Sequence, residues 1–154
     1  MIKVLFVCHG NICRSPMAEM VFKDMVAREG LKDKFYIYSS ATSYEEIGSG
    51  VHRGTRAILQ EKGVPCEDHR ANALSRTDYE SYDYIIGMDC YNIKNMYRIL
   101  GEDKEHKIYK MLDFAGIDRD VADPWYTRNF DVTYHDILLG CRAFLDKLKK
   151  EGLI

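Results

Sequence analysis

The hydrophobic pattern changes period early in the chain. Ile2 to Val7 is a short, nearly continuous apolar run rich in β-branched residues. That pattern predicts a strand buried on both faces within a parallel sheet. Cys8 to Arg14 interrupts it, with Gly10 and Asn11 suited to unusual backbone angles. Ser15 followed by Pro16 reads as a helix start, a capping hydroxyl before proline at the first helical position. Ala18, Val21, Phe22, Met25 and Val26 then recur at the spacing of one helix face. Gly30 closes that helix.

The same alternation continues. Phe35 to Ser39 predicts a second strand, Arg56 to Lys62 a helix stopped by Gly63 and Pro65, and Tyr84 to Met88 a third strand. Asn92 to Leu100 predicts a helix and Lys107 to Met111 a short fourth strand. Leu112 to Phe130 shows no periodicity, and a loop of that length in a compact domain is usually functional. Asp131 is placed to cap a last helix whose Ile137, Leu138, Cys141, Phe144, Leu145 and Leu148 form one stripe. Strands alternating with helices imply parallel strands joined by right-handed crossovers. The fold class is therefore α/β. Ligands of such sheets sit beyond the carboxyl ends of the strands, which points to the loop after the first strand.

Composition narrows the setting. The 154 residues suit one domain, residues 1–154. A net charge of -2 gives no reason to expect nucleic acid as the main partner. Lys147, Lys149 and Lys150 read as the solvated end of a helix. The apolar run near Met1 is too short for a signal sequence or a membrane span, so no membrane association and a cytoplasmic location are expected. Five cysteines without zinc-like spacing argue against a disulfide framework and against a metal site. Cys66, Cys90 and Cys141 are expected to be small buried core residues.

Cys8 and Arg14 are different, because five residues separate them between a buried strand and a helix start. The N–H groups of His9, Gly10, Asn11, Ile12, Cys13 and Arg14 can curl into an anion-binding nest. The following helix adds the positive end of its dipole, and Arg14 adds a planar fork for two phosphate oxygens. This field favours the Cys8 thiolate, the nucleophilic form, and the expected product is a cysteinyl-phosphate. Ser15 can donate to the Cys8 sulfur, or merely cap the helix. Asn11 can hold a left-handed conformation and peg the loop from behind. His9 projects toward the mouth of the site as a specificity element. Cys13 is read either as an inert core residue or as the partner of Cys8 in a protective, reversible disulfide.

A phosphate ester with a phenol leaving group also needs a proton donor. Asp123 is the candidate, within Ala122-Asp123-Pro124-Trp125-Tyr126. Pro124 restricts the backbone of Asp123, and Trp125 and Tyr126 offer flat faces for an aromatic substrate. His69 is read as an internal or surface histidine, or as a residue orienting Asn11 or Ser15.

These segments resemble the low molecular weight protein tyrosine phosphatases. The likeness rests on Cys8-x-Gly10-Asn11-Ile12-Cys13-Arg14-Ser15-Pro16 and on Asp123-Pro124-Trp125-Tyr126. Weaker signatures are Ser39-Ser40-Ala41-Thr42-Ser43, His69-Arg70-Ala71 and Met88-Asp89. The resemblance implies a four-stranded parallel sheet in the order 2-1-3-4 with helices on both faces. It implies hydrolysis of protein phosphotyrosine without metal or other cofactor, by a monomer that phosphate and other oxyanions inhibit. It assigns Cys8 as nucleophile, Arg14 as phosphate binder and Asp123 as general acid, with Asn11, Ser15, Ser39 and His69 as a supporting network. Relatives usually carry a small or apolar residue where this chain has His9, and often an aromatic at Glu45; both positions are expected to line the cleft. Arginine phosphatases and arsenate reductases share the scaffold. Ile12 suits a phenolic ring better than a guanidinium, and Cys66 and Cys90 are not spaced as a reductase relay. A phosphate-binding module without catalysis would need neither Cys8 nor Asp123.

Overall fold

The computed structural model describes all 154 residues. In chain order its main elements are β1 (Ile2–Cys8), α1 (Arg14–Arg28), β2 (Phe35–Ala41), α2 (Arg53–Glu61), α3 (Asp78–Ser81), β3 (Tyr84–Gly87), α4 (Cys90–Leu100), β4 (Ile108–Lys110), α5 (Pro124–Thr127) and α6 (Phe130–Lys150). The four strands form one parallel sheet in the order β2-β1-β3-β4. This is the α/β class and strand order that the sequence and its resemblance imply. No helix is long and apolar enough to cross a membrane.

The pleat of β1 decides where the chemistry goes. Successive side chains of a strand point to opposite faces. Val4, Phe6 and Cys8 therefore face the larger core, with Met17, Phe22 and Val26 of α1 and Ile137, Phe144 and Leu148 of α6. Leu5 and Val7 face the smaller core, with Tyr82, Ile85, Met96 and Leu100. A register slip of one residue would turn Cys8 away from α1. Phe22 anchors the larger core edge-on to Phe6 and Phe35, at centroid distances of 5.9 and 5.3 Å. Truncating such a buried ring costs about 3–5 kcal/mol.

Several boundaries differ from the sequence expectation, each for a local reason. α1 begins at Arg14, one residue before the expected cap, and Cys13 is the N-cap residue without a side-chain bond. The Ser15 hydroxyl is engaged by Cys8 and Asn11 instead. Pro16 is still tolerated, because first-turn amides have no intrahelical partner. α2 begins at Arg53, with the ring of His52 accepting the Gly54 amide at 3.0 Å. α6 is capped by Asn129, which accepts the Val132 amide at 3.2 Å, while Asp131 sits in the first turn. The segment from Leu112 is not structureless. It opens within a 3₁₀ turn, Met111–Ala115, whose Met111 and Leu112 are buried, and it contains α5. Gly140 allows that turn to pack on α6: a Cβ there would lie 2.9 Å from the Met111 carbonyl oxygen. Of the three cysteines expected in the core only Cys141 is buried; Cys66 and Cys90 are exposed. Cys66 lies in the loop after α2 and Cys90 opens α4, outside both apolar faces.

Candidate active site

The loop after β1 wraps around the Cys8 sulfur. Cys8 is 4 % exposed, and its Sγ lies 3.0 Å from the Ser15 hydroxyl. It also accepts the amides of Asn11 at 3.3 Å and Ser15 at 3.4 Å. Two amides and one hydroxyl converge on the sulfur. The first turn of α1 thus delivers both its dipole and a free amide to the thiol.

The loop turns sharply at Asn11, whose φ is 60°. Asparagine tolerates this left-handed conformation better than most residues. Its buried side chain is fully engaged. Nδ2 donates to Ser15 Oγ at 2.7 Å and to Ser39 Oγ at 3.0 Å. Oδ1 accepts from His69 Nε2 at 2.8 Å and from the Asn72 amide at 3.2 Å. Behind them stands Glu19, 1 % exposed, which accepts from Ser39 Oγ at 2.6 Å and lies 3.4 Å from His69 Nδ1. Lys23 balances its charge at 2.6 Å. Every polar atom of this buried cluster has a partner, which holds the loop in one shape. The structure thus brings Asn11, Ser15, Ser39 and His69 together around Cys8. Glu19 and Asn72 belong to the same cluster but were not singled out from sequence. Glu19 lies on the buried face of α1, where a lone carboxylate signals a buried partner.

Arg14 is 4 % exposed and held from two other elements. Its Nη2 lies 2.9 Å from Asp89 Oδ2 and 3.4 Å from Asp123 Oδ2, and its Nη1 donates to the Val121 carbonyl at 3.3 Å. Burial alone would lower the pKa of this guanidinium. The charges of Cys8, Asp89 and Asp123 outweigh that effect and raise it above its ordinary value. Asp89 uses both oxygens: Oδ1 caps α4 on the Asn92 amide at 2.7 Å while Oδ2 orients Arg14. Sequence reading noted Asp89 only as part of a signature. The signal that would have placed it is the reciprocal cap with Asn92 just after β3.

Asp123 reaches the site from the other side. Its Oδ1 caps α5 on the Trp125 amide at 3.0 Å, and Pro124 occupies the first helical position. Asp136 fixes the base of this loop: it accepts the Ala122 amide at 3.0 Å and a two-pronged pair from Arg119 at 2.9 and 2.8 Å. Burial would raise the Asp136 carboxyl, but Arg119 and the Ala122 amide hold it below the ordinary range. The Thr133 hydroxyl donates to the Ala122 carbonyl at 2.7 Å.

The rim is open. Trp125 and Tyr126 are each 82 % exposed. His9 and Glu45 face one another across the mouth at 3.0 Å, both largely exposed. Ile12 is half-buried, and its carbonyl accepts the His52 amide at 2.8 Å. Cys13 is half-buried and unbonded to Cys8; burial, with the nearby Cys8 and Asp123 charges, pushes its thiol up to about 12.

A family model described as low molecular weight phosphotyrosine protein phosphatase matches residues 3–153. The low molecular weight protein-tyrosine-phosphatase YfkJ of Bacillus subtilis is 40% identical over 153 residues, covering 98% of each chain. Its crystal structure superposes with a TM-score of 0.93, covering 98% of this chain and 96% of that one. The low molecular weight protein tyrosine phosphatase SP-PTP of Streptococcus pyogenes gives a TM-score of 0.86 at 41% identity, over 96% and 93% of the two chains. A Drosophila arginine phosphatase gives 0.86 at 31% identity, over 96% and 98%. Fold and sequence agree: the chain belongs to the low molecular weight protein tyrosine phosphatase family.

Proposed function

We propose that the protein hydrolyses phosphotyrosine in proteins through a phosphocysteine intermediate, without metal or other cofactor. The observation that carries this reading is a buried Arg14 shared between Asp89 and Asp123 beside a sulfur that accepts two amides and meets the Ser15 hydroxyl. The His9–Arg14 backbone and the Arg14 fork receive the phosphate oxygens, supplying the charge stabilisation on which phosphoryl transfer depends. Cys8 thiolate attacks phosphorus as the ester P–O bond breaks. Asp123, in its protonated form, gives its proton to the departing phenoxide. The resulting carboxylate then takes a proton from water, which attacks the phosphocysteine. The Ser15 hydroxyl stabilises Cys8 as it leaves, and inorganic phosphate is released.

The rim supports a peptide-borne aromatic ester. Trp125 and Tyr126 offer exposed faces, and Ile12 supplies an aliphatic wall. His9 and Glu45 add a polar pair where relatives are usually apolar or aromatic. The protein works as a monomer in the cytoplasm, and phosphate and related oxyanions compete with substrate. One structural relative is named an arginine phosphatase, so phosphoarginine is the substrate to set against phosphotyrosine. The test compares turnover of a phosphotyrosine peptide and a phosphoarginine peptide, with mass analysis of acid-quenched enzyme. We expect preference for phosphotyrosine and a transient phosphoryl group on Cys8. Preference for phosphoarginine would reassign the substrate, and phosphate release without a phosphorylated Cys8 would refute the mechanism.

A further inference from the structure

Behind Arg14 lies a second group of reactive side chains that the phosphatase chemistry does not use. Cys90 is exposed at the first position of α4. Its Sγ donates to Asp120 Oδ1 at 3.3 Å, and the Lys110 ammonium lies 3.6 Å from the sulfur. The Cys90 amide donates to the same Asp120 oxygen at 3.1 Å, and Lys110 reaches it at 3.3 Å. Lys110 comes from the end of β4 and its side chain is only 11 % exposed, so its charge is held against the sulfur. The exposed thiol therefore sits in a fixed position, with a held ammonium placed to pair with the sulfur once its proton has gone to solvent. The other cysteines outside the cradle lack such a setting. Cys141 is fully buried, and the sulfur of Cys66 makes one hydrogen bond, to the Glu67 carbonyl at 3.8 Å, where burial outweighs the charge of Arg56 and pushes the thiol up.

This group adjoins both segments that hold Arg14. Cys90 follows Asp89, which orients Nη2 at 2.9 Å. Asp120 precedes Val121, whose carbonyl takes Nη1 at 3.3 Å and whose amide donates to Met88 at 3.0 Å. The Cys90–Asp120 bonds therefore tie the start of α4 to the loop carrying Asp123.

We propose that Cys90 is a thiol-modification site, formed with Lys110 and Asp120, through which low-molecular-weight disulfides weaken the phosphate cradle. Cys90 loses its proton to solvent base, Lys110 pairs with the sulfur, and the thiolate attacks one sulfur of R–S–S–R. The small S–S bond breaks, a Cys90–S–S–R bond forms, and R–S⁻ departs to be protonated by solvent. One disulfide is consumed and one is made. The adduct removes the thiol bond to Asp120, and its bulk beside the same oxygen strains the amide and Lys110 bonds that remain, loosening Asp89 and Val121 around Arg14. A reducing thiol reverses the step.

The effect on phosphate rests on Arg14 being the phosphate anchor; the site of modification does not. The test uses the full chain with Cys8→Ser, exposed to oxidised glutathione and mapped by peptide mass analysis. Glutathione should appear on Cys90 before Cys66, and Lys110→Met should slow it about tenfold, the worth of one charge-assisted hydrogen bond. Titration calorimetry should show inorganic phosphate binding weakened about tenfold by the adduct, for the same reason, and restored by dithiothreitol. Faster labelling of Cys66, or an unchanged rate in Lys110→Met, overturns the site. A Cys90 adduct with unchanged phosphate affinity overturns the coupling. Failure of the unmodified protein to bind phosphate would count against the cradle itself, while the labelling order still decides the site.

Discussion

The Cys8–Ser15 cradle and the Asp123 loop, to which the proposed mechanism assigns the two halves of the reaction, are built in opposite ways. From Cys8 to Ser15 the key side chains are buried, and each polar atom of Asn11, Ser15, Ser39 and His69 meets another protein group. Around Asp123 the neighbours Trp125 and Tyr126 stand in solvent, and order comes from the base of the loop, from Asp136, Thr133 and the Val121 backbone. The difference follows from the chemistry. Phosphate oxygens have the same geometry in every ester, so a rigid receptor suits them. The leaving group varies with the substrate, so an open rim suits the proton-donor role proposed for Asp123. Arg14 is where the two regions meet, paired with Asp89 at 2.9 Å and Asp123 at 3.4 Å.

Variants that break one region should leave the other recognisable. The largest effect belongs to the cradle. Cys8→Ser should abolish turnover while keeping phosphate binding, measured by calorimetry. Arg14→Lys, which loses the planar fork, should lower kcat/KM about 10²- to 10³-fold on all esters alike. Asp123→Ala should cost about 10²- to 10⁴-fold on phosphotyrosine and much less on an aryl phosphate with an acidic phenol. That selectivity is what separates loop from cradle.

Asp89→Asn sharpens the comparison, because asparagine is as good a helix cap as aspartate but carries no charge for Arg14. We expect about tenfold lower kcat/KM, the worth of a charge-assisted hydrogen bond, with a smaller change in Tm. A large fall in Tm with unchanged kinetics would reduce Asp89 to its cap. Asp136→Asn should have the smallest effect, on the pH dependence of stability. The folded carboxyl lies below its ordinary range, so its contribution is present above the unfolded pKa and fades as pH falls through the folded one. Thermal unfolding across acidic pH should therefore be flatter in the variant. Arg119 is about half exposed, which keeps the effect modest.

The sequence made the cradle legible and left much of its support hidden. The strand–loop–helix pattern, and the spacing of Cys8 and Arg14, place the loop at the carboxyl edge of the sheet before any coordinate is seen. Local patterns fail where a side chain is claimed by something distant in sequence. Ser15 looks like a helix cap, but the Cys8 sulfur and Asn11 claim its hydroxyl. Glu19 sits five residues after Arg14 yet meets Ser39 and His69 from β2 and a later loop. Asp89 pairs with Arg14 across the sheet edge, 75 positions away by their residue numbers. The acid loop lacks periodicity because its shape comes from Asp136, Thr133 and the buried Val121 rather than from an apolar face. Cys66 and Cys90 show the limit of composition: a cysteine is usually buried, but only its neighbours decide.

The division of labour between Cys8–Arg14 and Asp123 is tested most directly by one linear free-energy measurement. Log kcat/KM is plotted against leaving-group pKa for a series of aryl phosphates, in the native protein and in Asp123→Ala. Protonation by Asp123 predicts a shallow slope for the native protein and a steep one for the variant, with the lines converging at the most acidic phenols. Parallel lines would mean that Asp123 does not protonate the leaving group, and would contradict the account.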